Sequence, residues 1–249
     1  MNILLTNDDG INSEGIQKLA KALRAVGVES GANPEKSAGK HRVYIIAPDS
    51  NRSGVSHGIR ILHEPVKLTA IKEDTWSCSG TPADCIIVGL KGALSVKPDL
   101  VLSGINQGEN TGTDIIYSGT AAAARQGSLS GIPALALSLK GNGPYYWDMA
   151  ISWIIKHLEE LIAFWRKDIF VNVNIPNTEG GPEGMVMVRP AIKCYNDNIE
   201  FMTAPDGDRW CFQISWPESV LFGENTDCDA VSRNLVSVSC IYNHPLIGE

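Results

Sequence analysis

No run of apolar residues in this 249-residue chain reaches the length of a membrane span. Positive charge is also short: 21 Lys and Arg stand against 28 Asp and Glu, a net charge of −7. That balance argues against a binder of nucleic-acid polymers, which needs a basic face. It leaves room for a small anionic substrate, because a local field can oppose the net charge. The opening "MNILLT" has no basic segment leading into a signal-type apolar core, so the expected location is the cytoplasm. The six cysteines (Cys78, Cys85, Cys194, Cys211, Cys228 and Cys240) contain no CxxC pair and no histidine cluster stands beside them. Reduced, mostly buried thiols are expected in place of a zinc site.

What is present is an ordinary globular balance, 43% hydrophobic and 20% charged residues, over a length that can bury a full core. Short apolar runs alternate with helical patterns. "NILLT", "RVYIIAP", "PDLVLSGI" and "PALALSL" read as buried strands. "EGIQKLAKALRAVG" reads as a helix with Ile16, Leu19, Ala20 and Leu23 on one face and Gly27 at its end. Thr81-Pro82-Ala83-Asp84 starts another, with an N-cap Thr, a Pro at the first position and an acid at the third. The clearest helix spans Asp148 to Arg166, where Ile151, Ile154, Ile155, Leu158, Leu161, Ile162 and Trp165 keep helical spacing; it reads as core packing. Ser30 to His41 reads as a loop or insertion. The alternation predicts an α/β fold: a doubly wound, mostly parallel sheet, Rossmann-like, covered on both faces. After Pro176 the pattern changes to Gly/Pro clusters and short β-like runs. Residues 1–176 are therefore expected to form the catalytic core. Residues 177–249 are expected to form a β-rich C-terminal arm for oligomerisation, with the last segment returning to the core.

Parallel sheets of this kind bind ligands beyond the carboxyl ends of their strands. Three such ends carry polar clusters: Asn7-Asp8-Asp9-Gly10, "APDSNRSGVSHG" from Ala47 to Gly58, and "SGINQGENTGTDIIYSGT" from Ser103 to Thr120. Two adjacent carboxylates are costly unless something positive meets them. The residues around them offer only oxygen ligands, which suit a hard cation such as Mg²⁺ or Mn²⁺. The eighteen-residue Gly/Asn run is long enough to point to function. Ser118-Gly119-Thr120 opens a helix, whose start suits a phosphate. His57 is expected at the edge of the site, and His41, His63, His157 and His244 on the surface or in the core.

"ILLTNDDG", "APDSNRSG", "SGTPADC" and "PDLVLSGINQGENTGTDIIYSGTAAAARQG" together resemble the SurE family of metal-dependent nucleotidases, as do "NVNIP" and "TDCDAVSRNLVSVS". These motifs follow the family's order along nearly the whole chain. The family pattern differs at Ala121, Gln126 and Ser13-Glu14, none of them a matched metal ligand. The resemblance implies one divalent metal ion per subunit, Mg or Mn, on Asp8, Asp9, Ser53 and Asn106. It implies hydrolysis of nucleoside monophosphates by a 5′-nucleotidase, a phosphoric monoester hydrolase, with 3′-nucleotidase and polyphosphatase activity as further options. Asp8, Asp9 and Asn106 are the expected catalytic residues, and Asn106, Ser118, Gly119 and Thr120 the expected phosphate site. One alternative is a phosphatase forming an aspartyl-phosphate, though that chemistry usually uses Asp-x-Asp. Another is a weakly active nucleotide or metal sensor. A homodimer or homotetramer is expected, with Trp210, Phe212, Trp216 and Phe222 buried between chains.

Overall fold

The computed structural model describes residues 1–26, 41–141, 143–215 and 218–245. Gly27, the stretch from Ser30 to Lys40, Trp216 and the side chain of Phe222 lie outside that description. The first half follows the apolar alternation: β1 (Asn2–Thr6), α1 (Glu14–Ala25), β2 (Arg42–Pro48), β3 (Leu68–Lys72), β4 (Thr75–Cys78), α2 (Pro82–Val88) and β5 (Leu100–Gln107). Then come α3 (Asp114–Tyr117), α4 (Gly119–Leu129), β6 (Ala134–Leu139), α5 (Trp147–Ala163) and β7 (Ile169–Ile175). The capping box at α2 is present: Thr81 accepts from the Asp84 amide, and the Asp84 carboxylate accepts from the Thr81 amide. Among the described residues no helix is long and apolar enough to cross a membrane.

With β8 (Gly184–Met187) and β13 (Leu235–Tyr242) from farther along the chain, these strands assemble into a nine-stranded sheet in the order β3-β4-β2-β1-β5-β6-β7-β13-β8. Strands β4, β2, β1, β5, β6 and β7 run parallel, as continuous apolar strands covered on both faces should. Ile3 and Leu5 of β1 point to one face, where they meet Ile16, Leu19 and Leu23 of α1 and Ile151, Ile154 and Leu158 of α5. Leu4 points to the other, toward Ile86 of α2 and Ala121, Ala123 and Ala124 of α4. The layers are helix, sheet, helix. The chain winds outward from β1 to β2 and β4, then crosses back to start β5 on the other side of β1. The carboxyl ends of β1 and β5 therefore flank the topological switch point, the crevice where open α/β sheets bind ligands.

The antiparallel edge hairpin β3–β4 is not legible in the sequence, because the β3 side chains past Leu68 are exposed and show no alternation. Beyond Pro176 the chain does not simply leave the core. Strands β8 (Gly184–Met187) and β13 (Leu235–Tyr242) join the main sheet, β13 antiparallel to β7. Between them lie β9 (Ile192–Tyr195), β10 (Asn198–Thr203), β11 (Arg209–Ser215), β12 (Glu218–Phe222) and α6 (Asp227–Ser232). Strands β10 and β11 form one two-stranded sheet, and β12 and β9 another. The arm proper is thus β9 to β12, and the main sheet draws two of its strands from beyond Pro176.

Candidate active site

Asn7 is fully buried just past β1 and folds the turn that carries both acids. Its Nδ2 donates to the Gly10 carbonyl at 3.0 Å and the Ser13 hydroxyl at 2.7 Å, and its Oδ1 accepts from the Gly10 amide. Gly10 sits at φ +100°, a conformation that favours glycine. The loop after β2 is stitched to this turn, since the Arg52 amide donates to the Asp8 carbonyl at 2.7 Å. That bond brings Ser53 beside Asp8.

At the end of β5, Gly104 has φ +134°, and a Cβ there would lie 2.2 Å from the Leu137 carbonyl oxygen. Only glycine lets β5 pass β6 this closely and deliver Asn106 to the switch point. The Gln107 amide donates to Asp9 Oδ2 at 3.2 Å. Asn106 Nδ2 donates to the Gly108 carbonyl at 2.9 Å, which leaves its Oδ1 without a partner among the described residues. The following loop hangs on buried asparagines: the Asn110 amide donates to Asn174 Oδ1, and Asn172 and Asn174 both donate to the Asn110 carbonyl. Farther along, the Gly112 amide donates to Asp227 Oδ2 at 2.7 Å. Asp114 accepts from Lys193 Nζ at 2.8 Å and from the Tyr195 hydroxyl, so β9 of the arm is tied to this wall.

The result is a cleft of about 250 Å³ lined by Asp8, Ser53, Asn106 and Ser118 together with Gly54, Gln107, Gly108, Glu109, Asn110, Asp114 and Tyr117. Three chain segments far apart in sequence meet there. Asp9 does not line it but sits beside it on the Gln107 amide. Asp8 is 3% exposed, and burial pushes its carboxyl up despite bonds from Thr120. Asp9 is pushed up to about 6, by burial first and by the charge of Asp8 second. Among the described residues no basic side chain pairs with either acid.

Helix α4 supplies much of what stabilises Asp8. The Thr120 hydroxyl donates to Asp8 Oδ1 at 2.5 Å and the Thr120 amide to Oδ2 at 3.2 Å. The positive end of the helix therefore meets the carboxylate directly. A Cβ on Gly119 would stand 2.8 Å from the Asp8 Cβ, so this approach needs the glycine. Gly127 allows a similar close approach farther along α4, where a Cβ would meet Val101 at 2.9 Å. Thr120, expected at the phosphate site, has its hydroxyl and amide engaged with Asp8 and is fully buried. Ser118 does face the cleft. Its Oγ accepts from the Ala121 amide at 3.0 Å as the helix cap, which leaves its proton available to a ligand. His57 lies outside the cleft lining and shares a hydrogen bond of 3.0 Å with Gln126 Oε1.

Glu109 and Tyr117 of the cleft, and the supports Asn172, Asn174, Lys193 and Asp227, are not among the residues singled out from sequence. Two asparagines on one face of the otherwise apolar strand "IFVNVNI" are a readable signal, because buried amides need partners. Asp227 gives none, since an acid after a capping Thr looks like ordinary helix chemistry.

The family model for Survival protein SurE matches residues 3–197. The 5′-nucleotidase SurE of a Synechococcus strain is 37% identical over 248 residues, covering 96% of this chain and 90% of that protein. The 5′-nucleotidase SurE of Geobacter sulfurreducens is 38% identical over 249 residues, covering 97% and 88%. Among solved structures, the SurE protein from Aquifex aeolicus superposes with a TM-score of 0.79 at 32% identity, covering 99% of this chain and 95% of that one. Full-length similarity and the shared architecture agree: the chain belongs to the SurE family.

Proposed function

We propose that the chain is a 5′-nucleotidase, a metal-dependent phosphomonoesterase acting on nucleoside monophosphates. The observation that carries the reading is the pair of buried, adjacent acids at the switch point. A site that places Asp8 and Asp9 together, with no basic partner among the described residues, has a strong field for a cation. The donor set fits a hard one: two carboxylates, the Ser53 hydroxyl and the open Asn106 Oδ1, all oxygen. Among the described residues no three His, Cys, Asp or Glu side chains cluster to hold a metal. The two carboxylates suit one Mg²⁺ or Mn²⁺ per subunit, since Mg²⁺ is usually held by one or two carboxylates plus waters and substrate phosphate. Such an ion, when bound, polarises a phosphoryl oxygen and activates water.

The chain's own groups do the rest. Thr120 fixes both oxygens of Asp8, so this carboxylate enters the reaction already oriented. The Gln107 amide holds Asp9 Oδ2, which leaves Oδ1 to orient the attacking water and take its proton. Ser118 donates its hydroxyl proton to a phosphoryl oxygen, and Asn106 donates to the same group the Nδ2 proton that the Gly108 carbonyl does not take. We further infer that the chain forms a homodimer or homotetramer through the arm within residues 177–249, as the apolar surface of β10 and β11 suggests.

The test is phosphate release from a panel of nucleoside monophosphates and a generic aryl phosphate with Mg²⁺ or Mn²⁺. Turnover of the nucleotides is expected, with no acid-stable phosphate trapped on the Asp8 peptide after quenching. A trapped phosphate on Asp8 would establish the covalent route, and tight nucleotide binding without turnover would make the protein a sensor.

A further inference from the structure

We infer that Tyr117 is the platform on which the nucleobase stacks, an inference that rests on the phosphomonoesterase reading above. The cleft is graded. Its floor is polar and buried, with Asp8 3% exposed and Ser118 6% exposed, while Tyr117 at its rim is 53% exposed. A phosphate drawn to the floor leaves the rest of a nucleotide to extend toward the rim. Isolated exposed aromatics are ordinary; this one shares a cleft lining with the candidate metal and phosphate residues.

Its neighbours make the ring available and its backbone rigid. The Ser56 amide donates to the Tyr117 carbonyl at 2.9 Å, and the Ser56 hydroxyl to the Ile116 carbonyl at 2.7 Å. One residue beyond, Ser118 caps α4. The main chain of α3 is thus held from both sides. Among the described residues the ring has no stacking partner and its hydroxyl makes no hydrogen bond. Tyr145 makes the contrast: its ring stacks on Trp147 with centroids 5.0 Å apart, and its hydroxyl donates to the Gly141 carbonyl. With the backbone fixed, only the two side-chain torsions of Tyr117 are left to be ordered when a flat partner lands on the ring. Stacking of a base on an aromatic face tolerates any base, with purines offering the larger surface. Tyr117 therefore sets a preference for nucleotides over base-free phosphate esters, and for purines over pyrimidines.

The experiment compares adenosine monophosphate with ribose 5-phosphate in the full-length protein and in Tyr117→Ala and Tyr117→Phe. The ratio of kcat/KM for the nucleotide over the sugar phosphate is expected to fall about tenfold in Tyr117→Ala, mainly through KM, the size of one base-stacking contact. Tyr117→Phe, which keeps the ring, should restore the ratio. An unchanged ratio in the Ala variant, or a Phe variant as poor as Ala, would overturn the assignment. If the wild-type protein turns over neither ester, the phosphomonoesterase reading fails by itself. Calorimetric binding of adenosine monophosphate then decides the platform: about tenfold weaker binding to Tyr117→Ala supports it, and equal binding refutes it.

Discussion

Asp8→Asn should lower kcat/KM for a nucleoside monophosphate about a thousandfold, the scale of losing one preorganised charged group in a catalytic site, while leaving the fold intact. Asp8 is almost fully buried and its charge is disfavoured there. Asparagine has the same shape and removes the charge. It can also keep both local bonds by turning its amide over: Oδ1 accepts from the Thr120 amide, and Nδ2 donates to the Thr120 hydroxyl, which serves as acceptor as readily as donor. The thermal midpoint in EDTA should therefore stay level or rise, because a desolvated carboxylate next to Asp9 has gone. Circular dichroism and melting curves separate this outcome from simple unfolding. Near wild-type rates with unchanged metal affinity would contradict the role given to Asp8. Asn106→Ala should do comparable damage, and Ser53→Ala less, since a neutral hydroxyl is the weaker ligand.

The second large effect concerns assembly. Strands β10 and β11 pair Met202 with Trp210 and Glu200 with Phe212 on one face, and Phe201 with Cys211 on the other. Ile199, Phe201, Met202, Trp210 and Phe212 are each about half exposed or more. Apart from Arg209 lying over the Phe201 ring at 4.4 Å, these groups face solvent in the single chain. A lone two-stranded hairpin is marginal in water, and one that is apolar on both faces needs cover on both. Light scattering at micromolar concentration should report at least twice the single-chain mass of 26.9 kDa. The double variant Met202→Asp, Trp210→Asp breaks one face at a directly paired position and should shift the protein toward single chains. A fully active wild-type monomer would mean that the arm is a local flap.

The readable parts of the fold are those in which one local pattern decides the outcome. Helical spacing in α5, the Thr81 capping box and the apolar runs of β1, β2, β5 and β6 each signal their structure within a few residues. The same holds for the cleft proposed as the site, because Asp8 and Asp9 end a buried strand and the Gly/Asn run follows another. What stays hidden depends on contacts between distant segments. The bond from Thr120 to Asp8 spans 112 positions, so no local pattern signals that the SGT helix start also braces a buried acid. Asp227 reaches Gly112 across 115 positions, and Lys193 reaches Asp114 across 79. The return of β8 to the main sheet is equally invisible, since four half-buried residues carry little periodicity.

If Asp8 and Asp9 form a cation-dependent phosphomonoesterase centre, activity must follow the cation. The most direct test is phosphate release from a nucleoside monophosphate by protein stripped with EDTA, before and after adding back Mg²⁺ or Mn²⁺. No turnover is expected in chelator and full recovery on addition of the ion, with Asp8→Asn unresponsive to it. Full turnover by the stripped protein in the presence of chelator would contradict that dependence.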